Sequence, residues 1–481
     1  MTQRVLVVDV GTSSVRAVVV DGAAQVVTER QQPLLPDSPA PGLVQFDAAE
    51  MARVALELAR GALEEVGSVD AVGVANQRGS VVVWDRATGT PVAPGIGWQD
   101  LRTVVRCLEL RGAGVRVGPN HSATKVEHLL DAADPDRTRD LCVGTVDSWI
   151  AWTLSDGALH VTDATNATLT GLRTPANDDW LDVALDALRI PRHALPEVVD
   201  SCGVLGAASA LPGAPPIAGL LGDQQASLLG QGCVRPGNAK ITFGTGGMLD
   251  LVTGEHPAVD ERGSAGTVPI VTRRIGGVDT WGLEAIMLSA GTCVEWLRDD
   301  LGVITTAEES DAVAASCVDT GDVWFVPALL GLGAPQWDFG ARGALLGLTR
   351  GTDRAQIVRA VLEGVAHRGT DLIEATEADS GRRIETVRVD GGMTANATFV
   401  QALADAAQRP VEISPVREAT ALGAAFAAGL ALGVWANDDD LAATWQPSHG
   451  VQPGPPLDRD RWRDAVARSG DWYPDLSAID F

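Results

Sequence analysis

The feature that most constrains this chain is a pattern that occurs twice. Residues 5–21 read VLVVDVGTSSVRAVVVD, an apolar strand, a Gly-Thr-Ser-Ser turn and a second apolar strand. Residues 239–252 read AKITFGTGGMLDLV, where a strand meets a Gly-Thr-Gly-Gly turn and a second strand follows. Apolar runs joined by a short glycine-containing turn predict β-hairpins. Thr12 and Thr245 lie 233 residues apart, close to half of the 481-residue chain. The spacing predicts a duplicated α/β fold, each half carrying one hairpin with a small, hydroxyl-rich turn.

Between these landmarks the pattern is mixed. Helix-like stretches cover residues 48–66, 352–378 and 394–408. Strand-like stretches cover 4–10, 71–75, 81–84, 217–221, 323–327 and 387–390. The Pro/Gly-rich piece 211–216 is a loop, and the polar, proline-containing tail 446–481 is expected to wrap the surface as loops and a short helix. The length predicts two or three domains, and 45% hydrophobic residues are enough to fill their cores. Sixty-three acidic against 37 basic residues give a net charge of -26, which repels nucleic acid. No apolar run is long enough to span a membrane. The start runs directly into a strand with no secretion leader, so the expected location is cytoplasmic. The six cysteines are scattered without CxxC or zinc spacing and are expected to be reduced and buried. Only two lysines occur, Lys125 and Lys240, a scarcity read here as a compositional habit.

A turn of Gly, Thr and Ser exposes backbone N–H groups and hydroxyls with little bulk, and two facing turns can hold phosphate oxygens from both sides. Asp9 ends the first strand beside its turn, where a carboxylate can hold Mg²⁺, through water in the main. One such hairpin alone is an ordinary glycine turn; the matched pair favours a phosphate cradle. Other nucleotide folds lack their marks: there is no GxxxxGK[ST], no GxGxxG after the first strand, and no G-x-S-x-G elbow. The third landmark is Gly222-Asp223-Gln224-Gln225, directly after the apolar run ending at Leu221. An aspartate there can accept the proton of an attacking hydroxyl, and the Gln224 amide can bond neighbouring hydroxyls. Taken alone, an aspartate there is more often the N-cap of the following helix, and only its combination with the two hairpins favours chemistry.

With these motifs in order, the chain resembles the FGGY carbohydrate kinases, and within them it is most similar to glycerol kinases. The resemblance runs from Val5 to about Trp435. It is carried by DVGTSSVR (9–16), GVANQR (73–78), WQDLRT (98–103), ATKVEHLLD (123–131), GTVDSWIAW (144–152) and HVTDATNAT (160–168). IAGLLGDQQASLLGQG (217–232), FGTGG (243–247), WLRD (296–299), GLGAPQWD (331–338), RGALLGLTRG (342–351), RVDGGMTAN (388–396) and EATALGAAFAAGLALGVW (418–435) continue it. At the N-terminal signature around Thr124 and Lys125, His128 replaces the usual aromatic.

The resemblance implies two actin-like, ribonuclease-H-like domains, residues 1–231 and 232–481, with ATP and substrate in the cleft between them. It implies that Asp223 is the general base, that Asp9 organises Mg²⁺ with Asp223 nearby, and that Thr12, Ser13, Arg16, Gly244 and Thr245 contact phosphates. Gly291, Gly392 and Asn396 would line the nucleoside site, together with Glu295, which stands where glycerol kinases have Gln. Relatives suggest a homodimer. For the acceptor, Arg78, Trp98, Asp223 and Gln224 are kept. Gly79 replaces a glutamate, Asn120 a tyrosine and Met248 a phenylalanine. Losing a carboxylate that pairs with a substrate hydroxyl costs about 1–3 kcal/mol of selectivity. The expectation is therefore a small polyol or sugar other than glycerol, admitted by the released space. A glycerol kinase with a remodelled pocket, a ketose (xylulose-type) kinase and a non-catalytic sugar-binding regulator are the alternatives.

Overall fold

A computed structural model describes residues 3–416 and 419–479. Two large sheets carry the molecule. The first contains β1 (Arg4–Val10), β2 (Ser14–Asp21), β3 (Val26–Pro33), β4 (Ala71–Asn76), β5 (Cys202–Ala207) and β6 (Pro216–Gly222), in the order β5-β6-β4-β1-β2-β3. The second contains β7 (Ala239–Phe243), β8 (Gly247–Gly254), β9 (Val268–Ile275), β10 (Val278–Met287), β11 (Val387–Asp390), β12 (Val411–Ile413) and β13 (His449–Val451), in the order β9-β10-β8-β7-β11-β12-β13.

The two sheets share one plan. Three antiparallel strands (β3-β2-β1, and β10-β8-β7) are followed by two parallel ones (β4-β6, and β11-β12) and an antiparallel edge (β5, and β13). The duplication expected from the two hairpins is therefore present in the strand order itself, with β9 added outside β10. β1 is valine-rich and buried along nearly its whole length, as a strand covered on both faces must be.

Helices begin where the sequence provides caps. α1 (Ala48–Val66) starts from Asp47, whose carboxylate accepts the Glu50 N–H at 3.0 Å. α2 (Asp223–Gly230) follows β6 directly, and α3 (Arg354–Ser380) opens with a capping box between Asp353 and Gln356. α4 (Ala397–Ala407) starts later than the expected 394, because residues 392–395 form a tighter 3₁₀ turn and Asn396 is the cap. α5 (Ala419–Leu432) carries the alanine-rich motif, whose first residue, Glu418, lies outside the described residues.

Two placements refine the sequence expectations. The boundary between 231 and 232 falls just after α2, yet α5, from beyond it, covers one face of the first sheet. Ala421, Ala424, Ala425 and Ala428 share a buried cluster with Val5, Val7, Val18 and Val20. α2 and α5 meet backbone to backbone: a Cβ on Gly423 would lie 1.7 Å from the Ala226 carbonyl oxygen, and one on Gly230 1.9 Å from that of Ala419. The tail, expected as surface wrapping, is docked. α6 (Arg459–Ser469) stacks buried Trp462 on His367 of α3, with ring centroids 4.9 Å apart. The Trp462 indole and the Arg459 guanidinium both donate to Asp371. Burial holds His367 neutral, down to about 3.

Candidate active site

The two glycine turns stand at the same place in their sheets, at the β1–β2 and β7–β8 junctions. A Cβ added to Gly244 meets nothing within 4 Å, so that turn faces open space. Thr245 and Ser13 are exposed, and Thr12 is half-buried. The Gly291 N–H donates to the Gly244 carbonyl at 2.8 Å, and a Cβ on Gly291 would stand 2.6 Å from that oxygen. The structure thus brings Gly244, Thr245 and Gly291 together. Gly392 also faces open space, while its neighbour Gly391, at φ 91°, lies against the Phe243 backbone. Glu295 is exposed at the end of the short helix Gly291–Glu295. Asn396 is already engaged: its Oδ1 accepts the Phe399 N–H at 2.8 Å and its Nδ2 donates to Ser310 Oγ at 2.9 Å. Capping α4 is what the structure assigns to it.

Asp9 lies directly across the ladder from Arg16, with 3.5 Å between carboxylate and guanidinium. Burial pushes its carboxyl up to about 6; Arg16 opposes the rise and the Asp223 charge adds to it. The Trp98 indole donates to Thr12 Oγ1 at 3.2 Å, tying the Trp98 loop to the first turn. Lys125 holds that loop, donating to the carbonyls of Pro119 (2.7 Å), His121 (3.0 Å) and Trp98 (3.1 Å). Burial lowers its ammonium to about 8.

Asp223 is the first residue of α2 and Gly222 holds the cap position, so the capping role is not what places it. The end of β6 is fixed from below: the Gly222 N–H donates to Thr165 Oγ1 at 2.9 Å, and that hydroxyl donates to buried Asp163 at 2.9 Å. The Asp223 carboxylate accepts the Gln224 N–H at 2.8 Å and faces Arg78 Nε at 3.6 Å. With 32% of its side chain exposed, it still opens on the cleft. Burial raises its carboxyl above the ordinary range against the pull of Arg78.

Three site residues escaped the sequence reading: Lys240, Asp250 and Glu284. Register sets them side by side, Lys240 opposite Asp250 and Asp250 opposite Glu284, across β7, β8 and β10. All three are buried. Thr242, Met248 and Ile286 form the next row on the same face. Glu284 accepts from Arg78 Nη2 at 2.5 Å, and Lys240 donates to Gln224 Oε1 at 2.5 Å. The second sheet thus holds Arg78 and Gln224 of the first half. The signal was a charged residue inside each of three apolar strands, and one of only two lysines in the chain. Both lysines are fully buried beside this site, so where they stand is more than a compositional habit.

Space at Gly79 corrects the pocket expectation. Gly79 has φ 73°, and a Cβ there would lie 2.4 Å from the Asn120 carbonyl oxygen. The Asn120 carbonyl thus stands where a Cβ at position 79 would be. The Asn120 side chain folds toward Gly118, its Oδ1 standing 2.9 Å from where a Gly118 Cβ would be.

Sequence models of the FGGY family of carbohydrate kinases match residues 4–230 (N-terminal domain) and 239–432 (C-terminal domain). The chain is 43% identical to a glycerol kinase of Trichlorobacter lovleyi, over 97% of this chain and 99% of that one. It is 40% identical to glycerol kinase 2 of Thermotoga maritima, over 97% and 99%. A crystal structure of Plasmodium falciparum glycerol kinase with ADP superposes with a TM-score of 0.91 at 27% identity, covering 100% of this chain and 99% of that one. These relatives give no support to the expectation that glycerol itself is excluded as acceptor.

Proposed function

The chain belongs to the FGGY family of carbohydrate kinases, and from that membership we propose that it transfers the γ-phosphate of ATP to a hydroxyl of glycerol. One observation carries the acceptor reading: Arg78 Nη1 is buried with no hydrogen-bond partner, on a guanidinium that faces Asp223. An unpaired buried guanidinium N–H costs about 1–3 kcal/mol, and a ligand oxygen relieves it. The crowding at Gly79 favours a small acceptor, as do the glycerol kinases among the relatives.

Asp223 accepts the proton of the attacking hydroxyl, and its raised proton affinity suits it to that step. Arg78 and Gln224 orient the acceptor, while the turns at Thr12 and Thr245 offer N–H and hydroxyl groups to the phosphates. Asp9 and Asp223 would hold Mg²⁺, which supplies positive charge against the nucleotide phosphates. Asp9 fits this role because it is a buried carboxylate whose ionisation is disfavoured until a cation arrives. Among the described residues no group of three or more His, Cys, Asp or Glu side chains forms a metal cage. That accords with Mg²⁺, which keeps several waters. Gly291 and Gly392 border the nucleoside position, with Glu295 beside them. The six unpaired cysteines suit a reducing, cytoplasmic setting, and a homodimer belongs to the same reading.

ADP release, measured over a panel of C3 to C6 polyols and ketoses, tests this. Glycerol is expected to give the highest kcat/KM, and D223N to lose about 10²- to 10⁴-fold in kcat. A pentulose or hexose preferred tenfold over glycerol would overturn the acceptor, and normal turnover by D223N the base.

A further inference from the structure

Lys240 sits in a strand whose other buried residues are apolar, and its side chain is sealed from solvent. Its Nζ faces three oxygens: Gln224 Oε1 at 2.5 Å, Thr242 Oγ1 at 2.9 Å and Asp250 Oδ2 at 2.8 Å. An ammonium has three donors and no acceptor; two hydrogen bonds run to Gln224 and Thr242, and the Asp250 carboxylate is its ion-pair partner. A glutamine amide can ordinarily sit either way round. Here its oxygen must face Lys240, because a flipped amide would set –NH₂ against –NH₃⁺. Gln224 Nε2 is thereby turned away from the lysine, and among the described residues it makes no hydrogen bond within the chain.

We propose that Lys240 is a positioning residue, neutralised by Asp250, that locks the Gln224 amide with its N–H groups toward the acceptor. The consequence is a defined polarity for the pocket. Arg78 can only donate, and Gln224, so locked, only donates toward the substrate. Asp223 supplies the acceptor. The substrate oxygen held by Gln224 must therefore accept, leaving the reacting hydroxyl's proton to Asp223. The inference rests on the kinase reading above and adds a residue that no motif of the acceptor pocket contains.

A double-mutant cycle tests it. The variant K240M/D250N removes both charges, so no buried carboxylate is left unpaired. It is expected to raise the glycerol KM about tenfold, the size of one lost hydrogen bond to a positioned group, with the ATP KM within about twofold. In a Q224A background the same pair of changes is expected to alter the glycerol KM by less than about twofold, since the group it positions is gone. A tenfold effect in both backgrounds would show that Lys240 acts independently of Gln224 and overturn the proposal. Should K240M/D250N fail to fold, Q224E keeps Lys240 and Asp250 and presents an acceptor where the amide presents donors. Its glycerol KM is expected to rise at least as far as that of Q224A, and a wild-type value would overturn the proposal. If the wild-type protein phosphorylates no polyol or ketose, the kinase reading is what fails. The side-chain amide resonances of Gln224, assigned by their loss in Q224A, then still report the lock. They are expected to show a more restricted (more highly ordered) amide group in wild type than in K240M/D250N by ¹⁵N relaxation, and equal order would overturn it.

Discussion

At the scale of single residues, Asp9 sets function against stability. Burial raises its carboxyl from 3.8 to about 6. The folded protein therefore holds that proton more tightly than the unfolded chain. The stabilisation is present below the unfolded value and is lost as pH rises through about 6. Above that the ligand-free protein carries an ionised carboxylate at a cost of about 1–3 kcal/mol. D9N, which is never charged, is expected to melt a few degrees higher than wild type at pH 8 without nucleotide or Mg²⁺, and equally at pH 4. Its kcat is expected to fall at least about 100-fold. Gly79 gives the converse case. At φ 73°, with the Asn120 carbonyl against it, G79A is expected to lose about 1–3 kcal/mol in denaturant unfolding and to raise the glycerol KM by displacing the neighbouring loop. Asp9, Thr12, Thr245 and Asp223 could be singled out as candidates from the sequence because each lies in or beside a glycine turn or at a strand end, whereas Arg78 entered only through the family resemblance. Lys240, Asp250 and Glu284 were not, because their meaning lies in being opposite one another, and register between strands is fixed by pairing rather than by spacing along the chain. The Gly79 substitution was legible as a change but not in its effect, since the atom that stands against it belongs to a backbone forty residues away.

At the scale of elements, the α2–α5 crossing is the tightest junction. Two glycines allow the helix backbones to touch, and α2 begins with Asp223. G423A is expected to destabilise by about 3 kcal/mol, because the Ala226 carbonyl cannot yield as a side-chain tip can. It should also lower kcat, since moving α2 moves Asp223 and Gln224 together; a variant that lost stability but kept kcat would separate the crossing from the chemistry. The elements were well marked where one signal dominated. α1 and β11 occupy the stretches expected from sequence, because a cap or a compact apolar run defined their ends. The sequence pattern places residues 394–396 in the following helix, whereas 394 and 395 belong to a 3₁₀ turn beside the close approach of Gly391 to Phe243, a contact between distant segments, and 396 is the cap.

At the scale of the molecule, the two halves are neither independent nor cleanly divided. Sequence suggests a cut at 231/232, and the strand orders support two units of one plan. Yet the first sheet has one face covered by α5, which comes from beyond residue 418 and buries Val5, Val7, Val18, Val20, Ala218 and Leu221. Removing that helix would expose a contiguous apolar face on a sheet whose other side is already filled by α1. Further bridges cross the same division: Arg78 to Glu284, Gln224 to Lys240, and Gln231 and Ser227 to Asp390. Residues 1–231 expressed alone are therefore expected to be insoluble or molten, with exposed apolar surface that binds a hydrophobic dye. Co-expression with 232–481 is expected to restore a soluble, active complex. The intact protein should then unfold in one calorimetric transition despite its two sheets, because the first sheet loses the cover of α5 when the second unit unfolds. A fragment 1–231 that folded cooperatively by itself, or two separated transitions in the intact chain, would mean that α5 is an accessory to the first unit and not part of its core.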